Sequence, residues 1–233
     1  MVFVSDTLID NRITAAAQTA NYASIAPLYL HNAGGLGDEW SPNLAPDALA
    51  RLTEHMSFQP EPIEIFDYVY GVLYDPVYRQ RFNEFLKRDF PRVPIINNQA
   101  DKDNPDAFYV SQAMFHAYVQ AGERLRKLHL MQVKVPAALG TELNTPDHTD
   151  HIEIGSIKYR DGVLHLNPNT RITGIPEDVW NYRIGGYQVL DKWFKSHKGE
   201  ALTIDSFTHI ENVVGLLAET IQIQETLRNL HQA

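Results

Sequence analysis

The chain has 233 residues, 44% of them hydrophobic and 21% charged, the proportions of a globular protein long enough to bury a sizeable core. A formal charge of −9 excludes gripping nucleic acid by overall attraction, and the absence of cysteine excludes disulfides, thiolate chemistry and zinc sites built on Cys. No apolar run approaches the roughly 18 residues of a membrane span, and the Met1–Asp6 start lacks the basic and apolar regions of a signal peptide, so a cytoplasmic location with no membrane partner is expected.

Charge is unevenly spread. Residues 1–64 and 200–233 are acidic, whereas 65–95 and 171–199 are mildly basic, which leaves room for a localised basic face. In chain order, Ile25-Ala-Pro-Leu-Tyr-Leu30 predicts a short strand, and the Gly- and Pro-rich run 31–46 predicts loop. A short helix is expected from Pro46 through Leu52, Met56 and Phe58, closed by Pro60 and Pro62. Ile65, Phe66, Val69, Val72 and Leu73 form the stripe of the next helix. Asp75-Pro76 reads as an N-cap and a first helical residue, leading into Tyr78, Phe82, Phe85 and Leu86. Pro91 and Pro94 force an extended exit, and 97–105 reads as polar linker. A long helix is expected from Asp106, with Val110, Met114, Tyr118, Leu125 and Leu128 on one face.

Residues 133–149 look irregular. Ile152, Ile154, Ile157 and Tyr159 suggest a strand that slips at Gly155, Asp161-Gly162 a tight hairpin into Val163–Leu166, and Asn167-Pro-Asn169 a second turn toward Arg171–Ile175. Two aromatic helices hinged at Gly185-Gly186 follow, the second carrying Val189, Leu190, Trp193 and Phe194 and ending at Gly199. A terminal helix capped by Asp205 closes the chain. The fold class expected is α+β, helical pairs packed with a small antiparallel sheet, as a single domain over 1–233 with a subdivision into a helical part, 1–131, and a meander with C-terminal helices, 132–233.

Catalytic equipment is missing. There is no Gly-x-x-x-x-Gly-Lys-Ser/Thr phosphate loop, no Gly-x-Gly-x-x-Gly, and no Asn/Asp-Pro-Pro-Tyr/Phe to hold an adenine amino group. His148, Asp150, His151 and Glu153 have no metal-specific spacing, and a solvated loop explains them better. Asp106 with Lys134 imitates a metal-dependent nuclease motif only faintly, without the strands such a site needs. No catalytic and no metal residue is therefore assigned. Asn11, Arg12, Lys158, Arg160, Asn167, Asn169, Arg171 and Lys195 have the chemistry of duplex contacts: Arg pairs with guanine, Asn with adenine, Lys with phosphate. Ordinary turn and strand-surface chemistry accounts for the same residues.

Three stretches stand out. One runs from Asp67 to Pro94, starting Asp67-Tyr-Val-Tyr-Gly-Val-Leu-Tyr-Asp-Pro76. The second is Ile175–Gly199, and the third is Val4-Ser-Asp-Thr-Leu-Ile-Asp10 with Pro27-Leu-Tyr-Leu30. Together they resemble the C-terminal target-recognition region of Type ISP restriction–modification polypeptides. The second is similar to a block there of the form Pro-x-x-Val-Trp-x-(Phe/Tyr)-x-(Ile/Val)-Gly-Gly-Tyr-x-Val-Leu-x-Lys-Trp-(Leu/Phe)-Lys, and the third to the junction after the methyltransferase domain.

The resemblance implies a module that reads a short site in double-stranded DNA for an adenine-N6 methyltransferase, a translocase and a nuclease, on the same chain or a partner. It implies no catalysis by these residues and no cofactor here; S-adenosylmethionine, ATP and Mg²⁺ are expected only on the associated domains. Departures from the family pattern lie mainly in the loops 31–46, 96–106 and 132–170, which are expected to vary between specificities, so the resemblance assigns no base contacts; these are expected from the meander and loops just before Ile175–Gly199. Trp180, Tyr187 and Trp193, inside a block shared across specificities, are expected to be structural. The alternatives are a protein-docking domain without direct DNA contact and, further off, a metal-dependent nuclease.

Overall fold

The structure, a computed structural model, describes residues 2–7, 24–31, 40–54, 56–94, 96, 108–143 and 152–232. Among them are eight helices and three small antiparallel sheets, an α+β fold. Two compact units are present among the described residues, one within 2–130 and 224–232 and the other within 131–223.

In the first unit, β1 (Tyr29–His31) pairs with β2 (Trp40–Pro42), His31 opposite Trp40. The strand thus begins later than the sequence suggests, and part of the expected loop is its partner. Pro27 has no N–H to give a ladder, and its carbonyl instead accepts from Asn43 Nδ2 at 2.9 Å. α1 (Pro46–Thr53) stops before Met56 and Phe58, where Thr53 Oγ1 turns back to the Leu49 carbonyl at 3.0 Å.

Pro62 does not close that helix; it opens α2 (Pro62–Tyr74). At the first helical position its missing N–H costs nothing, and Glu61 and Glu64 form a reciprocal capping box. Asp75 caps α3 (Pro76–Arg81) as the sequence predicts, its Oδ1 accepting the Val77 N–H at 2.8 Å. The helix breaks at Phe82 and resumes as α4 (Asn83–Leu86). α5 (Gln112–His129) starts at Gln112 rather than Asp106, because the Ser111 hydroxyl caps it, accepting the Met114 N–H at 3.1 Å.

α2 and α5 cross backbone to backbone. A Cβ on Gly122 would lie 1.8 Å from the Asp67 carbonyl oxygen, so only glycine permits the approach. Around the crossing Tyr68, Phe115, Tyr118, Leu125 and Leu128 are fully buried. Two polar clusters are buried with them. Asp67 accepts from Arg126 Nε and Nη2 at 2.6 and 2.9 Å. The Asp75 carboxylate, fully buried, takes the Tyr118 hydroxyl at 2.5 Å and faces His231 Nε2 at 2.6 Å.

The second unit is built on a four-stranded antiparallel sheet of β3 (Gly140–Leu143), β4 (Lys158–Arg160), β5 (Val163–Asn167) and β6 (Thr170–Thr173), in the order β3-β6-β5-β4. β3 lies in a stretch expected to be irregular: its short Gly-Thr-Glu-Leu has no alternation of its own and takes its conformation from β6. Residues 152–154 leave the meander. Ile154 N donates to the Glu200 carbonyl and Leu202 N to the Ile152 carbonyl, so this segment pairs with 199–202.

The β4–β5 turn is the expected one, with φ +51° at Asp161 and +79° at Gly162. After it come α6 (Glu177–Trp180), β7 (Arg183–Ile184), β8 (Tyr187–Gln188) and α7 (Val189–Ser196). Gly185-Gly186 is therefore the turn of a β-hairpin and not a hinge between two helices. α8 (Ile204–Asn229) is capped by Thr203, whose Oγ1 accepts the Ser206 N–H at 3.1 Å while Ser206 Oγ accepts the Thr203 N–H at 2.8 Å; Asp205 sits inside its first turn. Leu164, Leu166 and Ile172 of the sheet share one core with Val179, Leu190, Phe194, Ile210 and Val214 of the helices. Burying side chains of this size contributes about 1.5–3 kcal/mol each.

Candidate nucleic-acid interface

Successive residues of a strand point to opposite faces, so register decides which side chains meet. On the core face the row is Tyr159, Leu164, Ile172, Thr141. The other face carries Lys158, His165, Arg171 and Glu142 in one row, and Arg160, Val163, Thr173 and Gly140 in the next. Three sequence-predicted candidates, Lys158, Arg160 and Arg171, are thus brought onto one side of one sheet.

Their states differ. Lys158 is exposed. Arg160 is exposed and pairs with Asp161 at 3.1 Å, a pair so solvated that it contributes little. Arg171 is half-buried, and its Nε is buried without a hydrogen-bond partner. Leaving such a donor unsatisfied costs about 1–3 kcal/mol. His165, absent from the sequence-based candidates, is half-buried between Lys158 and Arg171. Its only sequence signal was the alternation in Val163-Leu-His-Leu, which names a face but not its neighbours.

The remaining candidates lie elsewhere. Asn167 and Asn169 sit at the β5–β6 turn. Asn167 Nδ2 donates to the Glu153 carbonyl at 2.9 Å and its Oδ1 accepts the Asn169 N–H at 2.9 Å, so the Asn167 amide holds the turn, while Asn169 is exposed at its tip. Lys195 pairs with Asp191 at 2.7 Å on α7, whose Leu190 and Phe194 enter the core from the opposite side of the sheet. Asn11 and Arg12 lie outside the described residues.

The three aromatic residues expected to be structural divide. Trp180 is buried and stacks on Tyr159, centroids 4.7 Å apart and planes at 10°. The Tyr159 hydroxyl donates to the Ile175 carbonyl at 2.8 Å; burial first, then the Glu177 and Asp178 carboxylates, hold its pKa above the usual tyrosine value and keep that donor protonated. Trp193 is half-buried and stacks on His197 at 4.0 Å. Tyr187 departs from the expectation: it is 57% exposed, on a hairpin tip, with Lys192 Nζ 5.7 Å from its ring centroid.

Among the described residues no group of three His, Asp or Glu is placed to hold a metal ion, and no helix is long and apolar enough to cross a membrane. His148, Asp150, His151 and Asp106 lie outside the described residues.

The family follows from comparison. Residues 1–228 match the family model of the Type ISP C-terminal specificity domain. The chain belongs to that family. Three solved structures resemble this specificity domain. One is a nuclease-deletion mutant of the Type ISP restriction–modification enzyme LlaGI in complex with a DNA substrate mimic: TM-score 0.51, 22% identity, 74% of this chain and 14% of that one. The ATP-dependent Type ISP enzyme LlaBIII bound to DNA has TM-score 0.58 and 16% identity, over 85% of this chain and 13% of that one. A DrdV–DNA complex has TM-score 0.60 and 25% identity, over 89% and 21%. The specificity domain thus spans 21% or less of the length of each of these chains. No curated protein matches the sequence. Two of the three blocks that suggested the family lie on α2–α4 and on α6, the β7–β8 hairpin and α7; the third ends on β1, and its residues 8–10 lie outside the described residues.

Proposed function

We propose that this specificity domain reads a short site in duplex DNA and, without catalysing anything itself, presents it to an adenine-N6 methyltransferase and a nuclease on associated domains. The observation that carries the reading is the Lys158–His165–Arg171–Glu142 row with Arg160 beside it: a sheet face with three basic side chains against one carboxylate, in a chain of net charge −9. Lys158 suits a phosphate, and Arg171, with the planar donors of its guanidinium, suits a guanine edge or a phosphate. DNA in the three related structures supports it. S-adenosylmethionine, ATP and Mg²⁺ then belong to the associated domains, and the working compartment is the cytoplasm, where cellular DNA is modified.

Selection from a random duplex pool, with the chain joined to its methyltransferase and at low salt, is expected to enrich one short sequence. A pool that stays random overturns the reading. A docking role keeps one observation in its favour: the β1–β2 hairpin exposes Tyr29, Leu30 and Trp40, Trp40 by 62%. Under that reading, charge reversal at Lys158, Arg160, Arg171 and Lys195 leaves DNA binding by the assembly unchanged.

A further inference from the structure

We propose that the β7–β8 hairpin is a second, sequence-independent DNA contact that grips the phosphodiester backbone through Arg183, Tyr187 and Lys192. The inference rests on the reading that the domain binds duplex DNA, and it adds a site apart from the sheet face.

The hairpin has little to bury. Tyr187 is 57% exposed, Arg183 and Lys192 are exposed, and a Cβ placed on Gly186 meets nothing within 4 Å. An aromatic ring left in water on a two-residue strand adds nothing to the core beneath it. Its hydroxyl is a donor of the kind that meets phosphate oxygens.

The cations around it are available. Arg183 Nη1 donates to the Gly186 carbonyl at 3.1 Å, which fixes the guanidinium over the turn and leaves its other N–H groups for a ligand. Lys192 lies 5.7 Å from the Tyr187 ring centroid. From Arg183 to Lys198 the carboxylate present is Asp191, and Lys195 already occupies it at 2.7 Å. Gly185 and Gly186 carry no side chains to hold a phosphate strand away from the turn.

The hairpin is rooted on the core side of the sheet, behind the edge strand of the reading face. Gln188 Nε2 donates to the Trp180 carbonyl at 2.5 Å and Val189 N to the Tyr182 carbonyl at 3.2 Å, tying its base to the end of α6. Trp180 stacks on the core-facing Tyr159 of β4, the edge strand whose opposite face carries Lys158 and Arg160.

The test is equilibrium binding of the full chain to its selected duplex and to a scrambled one, over a range of salt. Arg183→Gln with Lys192→Gln is expected to weaken both duplexes by the same factor, about tenfold or more, and to lower the slope of log K against log salt by about 2. Tyr187→Ala is expected to weaken both equally. Gly186→Glu, which has room for the side chain, puts a carboxylate at the tip and is expected to lose more. These positions are exposed, so unchanged thermal unfolding should accompany each loss. Wild-type binding to DNA with all variants unaffected overturns this inference and leaves the sheet-face reading standing. Loss for the selected duplex alone overturns it too, by making the hairpin a base reader. So does unchanged DNA affinity with lost assembly on the methyltransferase, which assigns the hairpin to a protein. A wild-type chain that binds neither duplex overturns the DNA reading itself, and this inference with it.

Discussion

Lys158 on β4 and His165 on β5 are register partners, so their side chains leave the sheet on the same side, with Arg171 next in the row. If this row reads DNA, its members should fail differently. Arg171→Ala is expected to weaken the selected duplex by about 10–100-fold and a scrambled one much less, because a bidentate Arg–guanine contact contributes about 1–3 kcal/mol of discrimination. Arg171→Lys should not restore it, since a point charge lacks the planar fork. Lys158→Ala should weaken both duplexes alike and lower the salt slope by about 1. Anisotropy titrations at several salt concentrations separate the two.

Asp161 both turns the β4–β5 hairpin and occupies Arg160 at 3.1 Å. Asparagine adopts the same positive φ, so Asp161→Asn should keep the hairpin while releasing the guanidinium. Thermal unfolding should barely move and DNA affinity should rise up to about fivefold, the equivalent of roughly 1 kcal/mol for an exposed pair. A drop in affinity would remove Arg160 from the interface.

Arg126 neutralises a carboxylate that is 3% exposed, Asp67, at the closest approach of α2 and α5. Arg126→Met leaves that charge buried and unpaired, and urea denaturation should show a loss of about 3–5 kcal/mol. Replacing both partners, Asp67→Leu with Arg126→Met, should recover most of it, because the penalty is desolvation of one uncompensated ion and not the loss of a net attraction.

His129 sets an acid limit. Half-buried against Tyr70, whose hydroxyl lies 2.8 Å from its Nδ1, it has its pKa pushed down to about 4 by loss of solvent. The unfolded chain, with an ordinary imidazole near about 6.5, takes the proton first. Stability from this site is therefore complete above about pH 6.5, falls as pH drops toward about 4, and levels off below, a total loss of about 3 kcal/mol. Denaturation at pH 7.5 and 4.5 should show that decline in the wild type and a smaller one in His129→Gln.

Local chemistry is legible in the chain itself. Asp75-Pro76 announces a cap, Asp161-Gly162 a tight turn, and the spacing of Tyr118, Leu125 and Leu128 a helix face, because each signal is complete within a few residues. The family blocks are readable for the same reason, as runs of neighbouring residues. Pairing between distant segments is not. β3 exists because β6 lies beside it, residues 152–154 join 199–202 instead of the meander, and Asp75 meets His231 from the far end of the chain.

The candidate interface shows the same division. Composition and turn chemistry name Lys158, Arg160, Asn167, Asn169 and Arg171 as one group. Hydrogen-bond register separates them, putting Lys158 and Arg171 on either side of an unsuspected His165 while committing the Asn167 side chain to its own turn. The Gly185-Gly186 pair is visible as a break, yet whether it hinges helices or turns a hairpin depends on whether Arg183 and Gln188 find each other across it. That pairing is a tertiary outcome, and it leaves Tyr187 in solvent instead of in the core.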